Sequence, residues 1–324
     1  MRQVLRQEMK KYRRLMSPAE REAWYRMPPQ RIQYPHQYEK QLYKRIREFY
    51  KGYTGRVNTF IERKYPQKFV DNVDSFESEY PRFLRELELE IELEIQKGTI
   101  LYDLSAYVRK ITEFILVFNE EEVAACMKAW TGKPMYGTTE WWSDVQGVWM
   151  GDMARSVLKN LTEYEEAVRT FVYNGVRNRM SYDEILAGIK QLDTSLSETR
   201  AAFLARDLTG KLNGKIEEKL QTSLGIPGYI WQTAADERVR GRPGGKYPNA
   251  VPSHWDIDSM TCKWSDPSIY SLDYGRNWVP RTPMMPTTHP GEDWQCRCVG
   301  PPSGFSLARE IDRELEGEQN GQNT

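Results

Sequence analysis

Gly225-Ile226-Pro227-Gly228 divides the chain. Proline has no amide hydrogen to give a helix, and glycine readily adopts the backbone shapes that end one, so a helical pattern reaching this stretch stops in it. Working back from it, a helix is expected from about Ser197 to Ser223. Before that, Ser181-Tyr182-Asp183-Glu184 is a capping box: the serine hydroxyl accepts from the third backbone amide and the glutamate reaches back to the cap. Ile185, Leu186, Ile189 and Leu192 give the capped helix its apolar stripe. Residues 104–131 and 140–175 repeat apolar positions at three- and four-residue spacing, and helices are also expected over 2–26 and 37–50. Leu87, Leu89, Ile91, Leu93 and Ile95 alternate with glutamates, which fits a strand, yet Leu84, Leu87, Ile91 and Ile95 also make a helical stripe.

Beyond Gly225 the periodicity vanishes. Residues 225–304 hold three of the four Cys, two of the three His and much of the Pro, Gly and Trp. Short strands are expected at Tyr229–Thr233 and around Cys296–Val299, joined by long loops. A loop-rich stretch of this length with few aliphatic residues needs something besides a hydrophobic core to hold it. The expected fold is α+β and mainly helical: a long N-terminal helical body, then a small loop-rich module with short strands.

Charge is segregated along the 324 residues. The totals balance, 46 basic against 46 acidic, which excludes a globally basic nucleic-acid binder. Residues 1–70 nevertheless hold 18 Lys/Arg against 6 Asp/Glu, residues 71–125 hold 5 against 14, and residues 305–324 hold 2 against 5. Arg2, Arg6, Lys10, Lys11, Arg13 and Arg14 are the candidates for docking nucleic acid or a protein partner. Aromatic residues interleave with these charges, from Tyr12 and Trp24 to Tyr50 and Tyr53, and fit either base stacking or the core of an amphipathic arm. The longest apolar run, Phe114–Phe118, is far shorter than a membrane span, so no membrane partner is expected. The N-terminus has no apolar signal region, and four cysteines do not make a disulfide framework; a reducing cytoplasm fits both.

The residues that could carry chemistry are His254, Cys262, His289, Cys296 and Cys298. In Cys296-Arg297-Cys298 the two thiols lie two residues apart, which on a strand points both sulfurs one way. A disulfide between them would close a small, strained ring. Two readings stand. The thiolates, with Cys262 and either histidine, would supply the four N or S ligands of one structural zinc. Alternatively the thiols are small buried hydrophobes and the histidines bond the loops. A catalytic zinc with Asp236 or Asp256 as base, or a Cys–His nucleophile, is the enzymatic variant. Arg240 is expected to pin the loops through Asp256 or Asp258, with Asp236 in the same structural tie, or else to grip a phosphate. Gly241-Arg242-Pro243-Gly244-Gly245-Lys246 lacks phosphate-loop spacing and reads as a surface loop, and Cys126 as a core residue.

An ordered set of blocks carries a resemblance. It begins with Gly175-Val176-Arg177-Asn178-Arg179-Met180-Ser181-Tyr182-Asp183-Glu184-Ile185 and Thr199-Arg200-Ala201-Ala202-Phe203-Leu204-Ala205-Arg206-Asp207. Lys211-Leu212-Asn213-Gly214, Trp231-Gln232-Thr233-Ala234 and Asp236-Glu237-Arg238-Val239-Arg240 follow. Ser253-His254-Trp255-Asp256-Ile257-Asp258 and His289-Pro290-Gly291-Glu292-Asp293-Trp294-Gln295-Cys296-Arg297-Cys298 complete it. From about 165 to 302 the chain resembles the phage Mu F-like head morphogenesis family, also called minor head or minor capsid proteins. One departure stands out: the family histidine usually follows the arginine pair closely, whereas His254 comes fourteen residues after Arg240.

The resemblance implies a portal-associated component of a phage virion or prohead, made in the bacterial cytoplasm and acting in head morphogenesis, DNA packaging or ejection. Its implied partners are the portal protein and other head proteins, coat and scaffold, with phage DNA as a further contact. It assigns no catalytic activity. The expected divisions are then a basic arm over 1–70, a helical region with the acidic stretch over 71–160, the Mu F-like module over 165–302 (helices 181–223, loop-rich part 225–302), and an acidic, partly disordered tail over 305–324.

Overall fold

The computed structural model describes residues 2–26, 31–64 and 99–321, together with Arg82, Arg85, Glu86 and Leu89. The fold is α+β and mainly helical, as expected. Its helices are α1 (Arg2–Arg14), α2 (Pro18–Arg26), α3 (His36–Lys64), α4 (Thr99–Thr131), α5 (Trp142–Arg177) and α6 (Tyr182–Thr194). A π-helical segment, Ser195–Arg200, leads into α7 (Ala201–Leu224). Then come β1 (Gly228–Ile230), β2 (Thr261–Lys263), β3 (Asp266–Ser271), β4 (Val279–Pro280), β5 (Pro302–Ser303) and α8 (Phe305–Gly321).

The expected helix over 2–26 is two helices, because Ser17-Pro18 interrupts it and Ser17 caps the second: its hydroxyl accepts from Glu20 N at 3.3 Å and Glu20 reaches back. The Ser181 capping box is present, with both of its bonds made. The tail is more ordered than its composition suggested, since α8 continues through Gly317 to Gly321. The choice between helix and strand over 86–95 falls outside the described residues, apart from Glu86 and Leu89, which are helical.

The chain packs as two compact units that cut across the linear division expected from sequence. One comprises Met1–His36, Glu113–Val145 and Thr209–Thr324; the other comprises Gln37–Thr112 and Gln146–Leu208. Helices α1 and α2 thus belong with the loop-rich module, while α3 belongs to the other unit.

The second unit is helical. Along α5, Trp149, Met153, Val157, Leu161, Tyr164, Val168 and Val172 are buried at intervals of three and four, the spacing that puts them on one face. Trp149 is fastened as well as packed: its indole N–H donates to Leu208 O at 2.8 Å.

The first unit holds the sheet, an antiparallel arrangement ordered β4-β3-β2-β1-β5. In it Tyr229 stands opposite Cys262, and Gly228 lies between Lys263 on one side and Ser303 on the other. One sheet face buries Tyr229 and Cys262 in a cluster with Trp231, Ile257, Trp264, Met285, Cys296 and Cys298.

Helix α7 presents polar groups to the loop that carries the paired cysteines. Asn213 receives from Asn119 at 3.0 Å and donates to Glu217 at 2.6 Å. Glu217 in turn accepts from Gly300 N at 2.7 Å, and Gln221 donates to Gly300 O at 2.6 Å. Residues 213, 217 and 221 are four apart, so one stripe of the helix satisfies the backbone just beyond Cys298. On the same helix the loop comes so close that a Cβ on Gly210 would lie 2.3 Å from Cys296 O, and one on Gly214 would lie 2.1 Å from Pro290 O. Only glycine allows that approach.

Candidate metal centre

Three of the five candidate ligands converge. His254, Cys296 and Cys298 are buried, and their ligand atoms all lie within 4.8 Å of one another. His254 Nδ1 stands 3.3 Å from Cys298 Sγ and 3.5 Å from Cys296 Sγ. A tetrahedral zinc with Zn–N near 2.0 Å and Zn–S near 2.3 Å would hold its nitrogen and sulfur ligands about 3.5 Å apart, so the observed separations fit that ion.

Local structure explains the convergence. The short strand expected around Cys296–Val299 is absent from that stretch; only Val299 pairs, with Gln232, through an isolated bridge. A tight turn does the work instead. Cys296 N bonds Asp293 O at 3.1 Å, Gln295 takes a left-handed φ of 53°, and Cys298 N donates to Cys296 Sγ at 3.3 Å. The histidine arrives from the loop between β1 and β2. His254 N and Trp255 N both donate to Arg240 O, at 3.0 and 3.1 Å. The fourteen-residue separation therefore loops out and returns His254 to Arg240.

Asp293 completes the cluster. Its Oδ2 lies 3.0 Å from His254 Nε2 and 2.7 Å from Arg240 Nη2. A carboxylate on the far nitrogen of a metal-binding histidine fixes the ring and its tautomer, here leaving Nδ1 to face the sulfurs. Trp231 meets the His254 ring edge-on, with centroids 5.6 Å apart.

The charges are mutually supporting. Burial alone would raise the Asp293 carboxyl, but His254 and Arg240 outweigh it and bring it down to about 2. Burial alone would lower His254; the bonds to Asp293 and Cys296 outweigh it, and the ring holds its proton more tightly than a free imidazole. The Cys298 thiol and His254 favour the thiolate at Cys296, while burial and that same sulfur push Cys298 up. A metal cation beside the two sulfurs would favour the thiolate at both.

Cys262 and His289 do not join. Cys262 faces the Tyr229 cluster, where burial pushes its thiol up to about 11. His289 Nδ1 instead meets Tyr229 OH at 3.0 Å, and its ring lies against Trp264. The expected tie of Arg240 to Asp256 or Asp258 is replaced by Asp293. The Asp236 carboxylate accepts from the backbone N–H and the guanidinium of Arg238, Asp258 accepts from Thr233 N at 2.7 Å, and the Asp256 backbone N–H donates to Ser253 Oγ at 3.3 Å. Asp293 is a site residue that the candidate set lacks; its one signal in the sequence is its place three positions before Cys296. Cys126 is buried, as expected.

Four of the candidate docking cations pair with α8. Arg6 bonds Glu310 and Glu314, Lys10 bonds Glu314 and Glu318, and Arg14 bonds Glu318. Arg13 is buried and makes a two-pronged bond to Asp312, while Lys11 pairs with Glu8. The acidic helix α8 thus neutralises the basic helix α1. Of Arg2, only the backbone is described. The aromatics Trp24, Tyr34, Tyr50 and Tyr53 are buried, which makes them core rather than base-stacking platforms.

Over 139 residues the chain is 30% identical to an uncharacterized protein of Haemophilus influenzae, a match covering 43% of this chain and 24% of that protein. The chain therefore spans about a quarter of that relative's length. No family model matches the chain, and no solved structure matches it. Among the described residues, no helix is long and apolar enough to cross a membrane.

Proposed function

We propose that the chain is a minor head protein of a tailed phage or prophage, a virion or prohead component made in the bacterial cytoplasm. It acts in head morphogenesis near the portal, through contacts with portal, coat or scaffold protein, and assists the packaging or ejection of DNA. The reading rests on the ordered resemblance to the Mu F-like family, and one observation supports it: separate blocks of that resemblance pack as one module. Gly210 and Gly214 admit the Pro290–Cys296 loop, and Asp293 joins Arg240 to His254.

A structural zinc belongs to this reading. Held by His254, Cys296 and Cys298, it would cross-link the loop between β1 and β2 to the turn before β5, where aliphatic packing is sparse. The number of ligands favours a second reading, a metal-dependent hydrolase, since three protein ligands are the set of a catalytic zinc. The burial of all three favours the structural ion.

Tagged full-length protein drawn from phage-producing cells should bring portal, coat or scaffold protein with it, identified by mass spectrometry. Recovery of the protein alone, at low salt, contradicts the head reading. Hydrolysis of a phosphodiester or peptide substrate that stops on chelation would replace it with the enzyme.

A further inference from the structure

The sheet has a second face, and it is built differently from the one that packs the cysteine cluster. On β2, residues 261 and 263 point away from Cys262, and the register places Ser303, Gly228 and Lys263 in one row across three strands. This face forms part of a cavity of about 390 Å³ that is also lined by α8, the segment between β3 and β4, and Gly225 and Pro227 before β1. Its polar lining is cationic: Lys263, Arg276, Arg309 and Arg313, with the hydroxyls of Thr261 and Ser303.

Three features set it apart from an ordinary solvated patch. Lys263, Arg276 and Arg313 form no salt bridge among the described residues. Glu310, the carboxylate that also borders the cavity, is engaged by Arg6 at 2.9 Å. Thr261 is 4% exposed, yet its hydroxyl and the Nε of Arg309 are buried without a hydrogen-bond partner. A buried donor left unpaired is costly, and four cations around one cavity repel each other, so the site is poised for a ligand that answers both. Burial and the neighbouring Arg276 indeed lower the proton affinity of Arg309.

We infer that this cavity is a phosphate-binding site, in which Arg276, Arg309, Arg313 and Lys263 neutralise a phosphoryl group and Thr261 and Ser303 donate to its oxygens. The chemistry is that of charge-assisted bonds from guanidinium groups to a multivalent oxyanion. The Trp278 ring forms a wall of the cavity, and the Lys263 ammonium lies over one of its faces at 4.4 Å. What is read is the phosphate, either a free phosphate or phosphomonoester or the phosphodiester of a nucleic-acid backbone. Arg6, Lys10, Arg13 and Arg14 of α1 are not available for this task, because α8 already holds them.

Calorimetric titration of the full-length protein with inorganic phosphate, in low-salt chloride buffer, should show saturable binding at one site. Arg276→Gln and Arg313→Gln alter exposed side chains and should each weaken it tenfold or more, and Thr261→Val should weaken it with the fold retained by circular dichroism. Arg155→Gln, on α5, should leave it unchanged. A second titration uses a 20-base-pair DNA duplex. Tighter binding of the duplex that displaces phosphate identifies the backbone phosphodiester as the ligand; binding of phosphate without the duplex identifies a free phosphate or phosphomonoester. No saturable binding of either probe, or binding unchanged in the Arg276→Gln/Arg313→Gln double variant, overturns the inference.

Discussion

His254 and Asp293 are joined by a 3.0 Å bond between Nε2 and Oδ2, and the same carboxylate oxygen receives Arg240. The bond leaves Nδ1 as the nitrogen that faces both sulfurs. Asp293→Asn keeps the size and removes the charge. Zinc affinity, measured by competition with a chromophoric chelator, should fall about 10–100-fold. Unchanged affinity would mean that the carboxylate serves the loops alone.

Gly210 and Gly214 test the closeness of the loop to α7. Gly214→Ala places a methyl group against Pro290 O and should cost about 2 kcal/mol or more in denaturant unfolding, despite alanine's better helix propensity. Gly147→Ala, in α5 with nothing near its Cβ, should instead stabilise by about 0.5–1 kcal/mol. Equal effects at the two positions would contradict the packing described.

The buried pair Arg13–Asp312 should matter far more than its exposed neighbours. Asp312→Ala strands a guanidinium that is 1% exposed, an expected loss of about 3–5 kcal/mol. Lys10→Ala should change stability much less, and its effect should fade with added salt. A similar loss from both would show that helix pairing rests on general charge rather than on the buried bond.

Glu217 gives the fold a pH dependence of known sign. Burial pushes its carboxyl up to about 8, despite bonds from Gly300 and Asn213 that favour the charge. The folded state therefore binds a proton that the unfolded chain releases near the ordinary glutamate value. This contribution is full at low pH and is lost as pH rises through about 8. Between about pH 5 and 8 it should lower stability by up to about 1.4 kcal/mol per pH unit. Comparing Glu217→Gln with the parent chain over this range isolates the effect; identical slopes would contradict it.

Much of the helical body was legible because its signals are local. The Ser181 box and the three-and-four spacing along α5 depend on neighbours in sequence. The break at Ser17-Pro18 is equally local, although the composition of 2–26 is helix-forming throughout. The site was legible in part. Cys296 and Cys298 stand together by covalent proximity, and His254 was among the candidates, but choosing it over His289 and Cys262 requires knowing that Arg240 O recaptures the loop at His254. The fate of the basic arm was hidden for the same reason. Arg13 and Asp312 lie 299 residues apart, and no local pattern announces that one charged helix will neutralise the other.

The most direct test of the account is the metal content of the full-length protein, purified without chelators and measured by inductively coupled plasma mass spectrometry beside Cys298→Ser and Cys262→Ser. The account predicts about one zinc per chain, lost in Cys298→Ser and retained in Cys262→Ser. A parent protein that stays metal-free when supplied with zinc, or a Cys298→Ser variant that holds as much as its parent, would contradict it.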